Sequence, residues 1–342
     1  MDPLSDLLRV VRLDGAFFFA VEATEPWSVK TLDTRELRPR LMPVAEHLIS
    51  YHIISEGRCY GGLLDEEQVE LVAGDVIVFP HGDAHVMSSG PGVRVPNEVY
   101  SYAPDRYLET LRVGGPGPAV TSLCCGFLGC ERRPFNPLLA ALPRRMHLRG
   151  VSNAWHGGFT RQVIEESRLG RAGADCVLTR LAELMFIEVL RRYLDEMPAG
   201  QTGWLAGIRD EIVGRVLSAI HARPGHPWTL AELAREAGSS RSNVTKRFTL
   251  FVGEPPMQYL TRWRMQVAAN ILSHSGAKVA TVGEEVGYDS EAAFSRAFKR
   301  ATGLAPGAWR ERRRPEPEPR ASRPGNPAGR SSRMLLPAYA GA

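Results

Sequence analysis

The chain has 342 residues, a formal net charge of +4 and 44% hydrophobic residues, a length suited to two domains. The charge is uneven: residues 223–314 hold 15 Lys and Arg against 8 Asp and Glu, while residues 1–222 hold 23 against 28, so a surface that attracts a polyanion is confined to the C-terminal part. No apolar run is as long as a membrane-spanning helix, the N-terminus lacks the basic and apolar regions of a signal peptide, and five cysteines in so long a chain do not suggest a disulfide framework; a cytoplasmic protein without a membrane partner is expected.

Met1 to Leu13 can form a short amphipathic helix, with Leu4, Leu7, Leu8 and Val11 on one face. The pattern then turns strand-like. Ala16 to Val21, Leu48 to Ile54, Val69 to Leu71, Val76 to Phe79, Val93 to Val95 and Val120 to Cys125 are short runs separated by Gly, Pro and Asp, the rhythm of an all-β barrel or sandwich. Gly57, Gly61, Gly62, Gly74 and Gly82 are expected at turns. His52, His81 and His85 with Glu56 could supply a degenerate metal site, since imidazole and carboxylate suit Zn, Fe, Ni or Mn; alternatively the histidines are hydrogen-bonded barrel residues. Cys125 and Cys130, four residues apart, could ligate a metal or form a redox pair, or be buried small apolar residues. Pro134 to Pro143 reads as a helical turn flanked by prolines.

From Phe159 to about Ala222 the chain is expected to be helical, broken at Gly170–Gly173 and at Pro198–Gly203. The helix Ala174 to Met197 carries two apolar stripes. Leu178, Ala182, Met185 and Val189 form one; Phe186, Leu190, Tyr193 and Leu194 form the other. One stripe can bury against the chain itself, and the second is expected to find a two-fold mate in a homodimer. A third helix carries Leu205, Ile208, Ile212, Val216 and Ile220, and residues 221–227 read as a junction.

Thr229 to Trp309 then repeats itself. Leu230, Ala234 and Gly238 fall on Val279, Gly283 and Gly287 at an offset of 49. Ser240, Val244, Lys246, Phe248, Gly253, Pro256 and Tyr259 fall on Ser290, Phe294, Arg296, Phe298, Gly303, Pro306 and Trp309 at an offset of 50. Such a period marks one supersecondary unit used twice. Thr229 with Glu232 makes a capping box, Gly238 a tight turn, and Ser240 an N-cap for a second helix that buries Val244 and Phe248. That helix presents Arg241, Ser242, Asn243, Thr245 and Lys246 outward; the second copy presents Glu291, Ala292, Ser295, Arg296 and Lys299. These are groups that reach base edges and phosphates in a major groove. Pro256 to Ser273 is a long amphipathic helix that can hold the two units about one DNA turn, roughly 34 Å, apart. Pro315 to Ala342 has the composition of a disordered tail.

TLAELAREAGSSRSNVTKRF, GEPPMQYLTRWRMQVAANIL and VGEEVGYDSEAAFSRAFKRATGLAPGAWR make residues 223–314 similar to the DNA-binding domain of the AraC/XylS transcription regulators. Gly283 and Ser239 depart from that pattern, the first standing where alanine is usual; a glycine inside a helix costs up to about 1 kcal/mol, so a softer second scaffold helix is expected. Gly74 to His85, a turn glycine, a strand and Pro-x-Gly-x-x-His, resembles the second conserved motif of cupin barrels. The first cupin motif lacks its His-x-His pair and leaves His47 and His52 near Glu56, while Tyr51 to Gly57 resembles the matching strand of cupin-type sensor domains in the same regulators.

The expected architecture is multidomain: an all-β cupin-like barrel (1–145), an α-helical dimerisation segment (146–222), an all-α double helix-turn-helix domain (223–314) and a tail (315–342). The resemblance implies a sequence-specific transcription regulator, an activator or a repressor, not an enzyme, whose barrel senses a small-molecule effector and whose partners are double-stranded DNA and, for an activator, RNA polymerase. A divalent metal in the barrel is the one cofactor it suggests. A cupin metal enzyme fused to a DNA-binding domain, and a constitutive DNA binder whose barrel only dimerises, are the alternatives.

Overall fold

The first turn of helix is set by Asp2, whose side chain accepts from the Ser5 amide, with Pro3 at the first helical position. A computed structural model describes residues 2–11, 13–93, 110–131, 134–149, 158–159, 162–163, 165–166, 171–198 and 200–312. The run at 93–95 beyond Val93, the tail beyond residue 312 and part of the stretch after Phe159 lie outside the described residues.

Helix α1 (Pro3–Val10) leads into β1 (Leu13–Thr24), β2 (Ser28–Thr31), α2 (Thr34–Leu41), β3 (His47–Glu56), β4 (Arg58–Leu63), β5 (Val69–Val72), β6 (Val76–Phe79), β7 (His85–Ser88), β8 (Thr110–Gly114) and β9 (Thr121–Cys130). After α3 (Pro137–Ala141) comes β10 (Met146–Leu148). One sheet has the order β10-β6-β3-β9-β1-β8 and the other β2-β7-β4-β5. Eight consecutive residues of β3, His47–Ile54, are buried. Its alternate side chains serve two cores: Ile54 packs with Ile77, Phe79, Leu123 and Cys125 between the sheets, and Ile49, Tyr51 and Ile53 face the helices outside.

Two glycines correct the turn expectation. Gly61 and Gly62 lie inside β4; a Cβ on Gly61 would come within 2.6 Å of the Met87 sulfur, so the residue is small because of a close approach. Gly126 does the same in β9, where a Cβ would meet the Tyr51 hydroxyl at 2.3 Å. Gly57, Gly74 and Gly82 do sit at positive φ.

Helix α4 (Ala174–Glu196) overturns the expected dimer stripe. Leu178, Met185 and Val189, but also Phe186 and Leu190, are at most 1% exposed within one chain. The helix lies on β1 and β10, and both stripes join the core that also holds Phe18, Tyr51 and Met146. A sheet face is broader than a helix and can cover a wide apolar arc. The expected third helix is two, α5 (Trp204–Arg209) and α6 (Glu211–Ala222). Asp210 breaks it, its carboxylate accepting from the amides of Ile212 and Val213 at 3.1 and 2.9 Å.

The remaining helices are α7 (Leu230–Glu236), α8 (Arg241–Val252), α9 (Pro256–His274), α10 (Val279–Glu285), α11 (Glu291–Thr302) and α12 (Pro306–Arg312). Helix α6 packs on α7, α8 and α9, and the junction is held to α9 by Arg264, which donates to the carbonyls of Pro224 and His226. A second core gathers Leu272, Val282, Phe294, Phe298 and Trp309 around α10 to α12.

Candidate nucleic-acid interface and barrel interior

The second helix of each helix-turn-helix unit is started by a serine. Ser240 accepts from the Asn243 amide and Ser290 from the Ala293 amide, both at 3.2 Å, and Gly253 and Gly303 end the two helices at φ +86 and +80. Thr229 and Glu232 complete the capping box of α7. Gly238 and Gly287 make the tight turns at φ +63 and +82. Gly283 has a reason beyond softness: a Cβ there would stand 3.1 Å from the Phe294 ring, so its absence lets α10 sit close on α11.

Val244, Phe248, Phe294 and Phe298 are fully buried, which turns the opposite faces to solvent. Arg241, Ser242, Asn243 and Lys246 are exposed on α8, and Glu291, Ala292, Arg296 and Lys299 on α11; Thr245 and Ser295 are half-buried. Two of these are already engaged within the chain: Asn243 Nδ2 donates to Ser239 Oγ at 2.8 Å, and Thr245 Oγ1 to the Arg241 carbonyl. Arg247, also on α8, is held by Asp210 and lies 5.8 Å from the Phe251 ring centroid. Its role as a brace between α8 and the start of α6 has no signal in the local sequence, because Asp210 is 37 residues away.

Inside the barrel, three of the expected residues come together. His52 and Cys125 face each other in the β3–β9 register. His52 Nδ1 lies 2.9 Å from Cys125 Sγ, His52 Nε2 lies 2.8 Å from His85 Nε2, and His85 Nδ1 lies 2.9 Å from the Asp83 carbonyl. That carbonyl can only accept, so His85 donates from Nδ1. Its Nε2 then accepts from His52 Nε2–H, and His52 Nδ1 accepts from the Cys125 thiol. The relay is satisfied with both rings neutral. Burial drives the His52 pKa well down, aided by His85, and lowers that of His85 to about 4 against the pull of the Asp83 carbonyl. Burial also pushes the Cys125 thiol well up and Cys124 to about 12, so neither is a reactive thiolate.

The other expected members are elsewhere. Glu56 is exposed at the end of β3. His81 is bonded to the Leu142 carbonyl at 2.9 Å. Cys130 pairs with His47, five residues along the ladder from the His52–Cys125 pair. Both nitrogens of His52 are committed to different partners, and among the described residues no three His, Cys, Asp or Glu side chains are grouped to hold a metal. The donor set therefore does not fit the divalent metal that the cupin resemblance suggests, because its members are spread over the domain and His52, His81, His85 and Cys125 are already hydrogen-bonded.

Among the described residues no helix is long and apolar enough to cross a membrane. The family profile described as "Cupin" matches residues 2–195, and that described as "Helix-turn-helix domain" matches residues 233–312. A protein of Streptomyces lividans described as an AraC-like transcription regulator is 30% identical over 316 residues, 91% of this chain and 98% of its own length. A protein of the same description from Streptomyces antibioticus is 31% identical over 317 residues, 91% and 99% of the two chains. The HTH-type transcriptional regulator AlkR of Acinetobacter baylyi is 27% identical over 323 residues, again 91% and 99%. With a cupin-like sheet domain, a helix-turn-helix domain of two serine-capped units and relatives matched along nearly their whole length, the chain belongs to the AraC-like transcription regulators and is a DNA-binding regulator of transcription.

Proposed function

We propose that the protein is a one-component switch of the cytoplasm without enzymatic activity. Its N-terminal domain senses a small-molecule effector, and its two reading helices bind successive major-groove segments of double-stranded DNA. The observation that supports this reading most is the pair of exposed basic faces on α8 and α11, carried by one continuous helix, α9, of 19 residues. At 1.5 Å per residue α9 is about 28 Å long, commensurate with neighbouring turns of one duplex face. Arg241, Ser242, Asn243, Thr245 and Lys246 read or anchor one segment; Glu291, Ala292, Ser295, Arg296 and Lys299 the other. The DNA-binding unit starts near Gly203, because α6 belongs to its core. RNA polymerase is the partner through which bound protein would activate a promoter.

Homodimerisation is proposed on a narrower face than the sequence suggests. Val177 is 39% and Leu184 45% exposed on α4, and with half-buried Leu181 they lie at helical spacing on the side away from the barrel. Selection from random DNA tests the main reading: two conserved blocks one helical turn apart, with affinity falling steeply with salt, are expected, and a single block would sink it. A thermal-shift screen with metabolites tests effector sensing, since a ligand at 100 times its Kd adds about 2.7 kcal/mol; a blank screen counts against it.

A further inference from the structure

The junction that leads into the first helix-turn-helix unit is folded, not slack. The His226 amide donates to the Arg223 carbonyl at 3.2 Å, and the Trp228 amide to the His226 carbonyl at 2.7 Å. Trp228 Nε1 donates to the Arg223 carbonyl at 3.0 Å, and the Arg223 guanidinium lies 4.5 Å over the Trp228 ring. This strap, residues 223–228, is fastened to two other elements. On α9, Arg264 donates from Nε to the Pro224 carbonyl at 2.7 Å and from Nη2 to the His226 carbonyl at 2.8 Å. At the turn of the second unit, a Cβ on Gly225 would stand 2.3 Å from the Glu285 carbonyl oxygen. A Cβ on Gly287 would stand 2.6 Å from the Gly225 carbonyl oxygen and 2.8 Å from Arg264 Nη2. Strap, turn and guanidinium therefore converge at one point, and the strap runs straight on into α7, capped at Thr229.

That convergence matters because the two units have separate cores, with half-buried Val267 packed against both. Leu233, Val244 and Phe248 of the first pack with Tyr259, Leu260 and Trp263 from the first half of α9. Val282, Phe294 and Phe298 of the second pack with Met265, Ala268 and Leu272 from its second half. Apolar burial is non-directional. Each core holds its unit on α9 but defines the angle between the units more loosely than hydrogen bonds of fixed geometry do. We infer that the strap fixes the angle and distance between the two reading helices, so that the protein accepts one spacing between its two blocks of bases and discriminates against the neighbouring spacings. Gly225 and Arg264 are the positioning residues, and each acts through where α11 stands relative to α8. This rests on the reading of two DNA segments and adds what sets their separation. One inserted base pair carries the second block about 3.4 Å along the duplex and about 34° around it, a step that a locked pair of helices cannot follow without losing contacts.

The full-length protein is used to select DNA from a random pool, and the selected duplex is remade with one base pair added or removed between the two blocks. Wild type is expected to return one spacing and to bind either altered duplex about tenfold more weakly. Gly225→Ala pushes the strap off the Glu285 carbonyl. Arg264→Lys keeps the charge but lacks the fork that serves two carbonyls. Each should narrow the penalty to about threefold or move the preferred spacing, with the base preference inside each block unchanged. A variant that is merely less stable lowers affinity for all three duplexes by one factor and leaves their ratios as in wild type. Wild-type ratios in both variants therefore overturn the role of the strap. So does a wild-type selection that returns the two blocks at several spacings, which leaves the two-segment reading standing. A single block in that selection sinks the two-segment reading and this inference with it. Arg264 is half-buried, so Arg264→Lys decides the matter if Gly225→Ala fails to fold.

Discussion

Arg296 and Lys246 occupy equivalent exposed positions on the two reading helices, and Lys299 lies one turn further along α11. If Arg296 reaches a guanine edge, Arg296→Ala should cost about 1–3 kcal/mol and relax specificity at one base pair, while Lys299→Ala weakens all sequences alike. Competition between selected and random DNA at one salt concentration separates the two. His85 makes a different kind of prediction. Its folded pKa, about 4, lies below the ordinary 6.5, so the folded state binds fewer protons than the unfolded. Its contribution is intact above pH 6.5 and is lost as pH falls towards 4, by roughly 3 kcal/mol over that window. His85→Gln should flatten the fall in stability between pH 6.5 and 4 in urea titrations; an unchanged slope would show that the relay does not titrate with folding.

At the scale of elements, α4 is where expectation and structure part. The two apolar stripes were legible, but their partner was not. Periodicity tells that an arc must be buried and is silent on whether a sheet or a second chain covers it. Leu190→Glu should therefore fail to fold, since it places a charge at a fully buried position without a partner. Leu184→Glu should fold and sediment as a monomer if Val177, Leu181 and Leu184 make the dimer face. A folded Leu190→Glu monomer would restore the broader interface. The helix-turn-helix units came out as read, with Thr229, Ser240 and Ser290 capping where their spacing puts them, because capping is decided within four residues. The break at Asp210 was missed although Asp is a common N-cap: the apolar spacing of Leu205 to Ile220 runs through it unbroken, and an N-cap leaves that spacing intact.

At the scale of the molecule, Arg262, Gln266 and Asn270 recur every four residues on one face of α9 and all meet the sheet domain or its flanking residues. A polar stripe on the connecting helix is thus spent on domain docking. Gln266→Leu leaves the Phe135 amide unsatisfied, at a cost of about 1–3 kcal/mol, and should loosen the docking. In the wild-type protein, binding of selected DNA should slow hydrogen exchange at Phe135 and Val10 as well as in α8 and α11. In Gln266→Leu that remote protection should vanish while protection of α8 and α11 remains. Remote protection that persists in the variant would show that coupling runs by another route.

The sequence by itself determined the repeat, the caps, the strand runs from Ala16 to Phe79 and at Val120 to Cys125, and the family. These depend on spacing within a turn, a strand or a duplicated unit. Only the tertiary structure decided which distant groups meet. The β3–β9 register put His52 on Cys125 and kept Cys130 away. The sheet domain took both stripes of α4. Folding placed Phe135 against Gln266, 131 residues apart. Pairings of that kind are set by the closure of long loops and the mutual fit of whole surfaces, and no local pattern of residue types carries them.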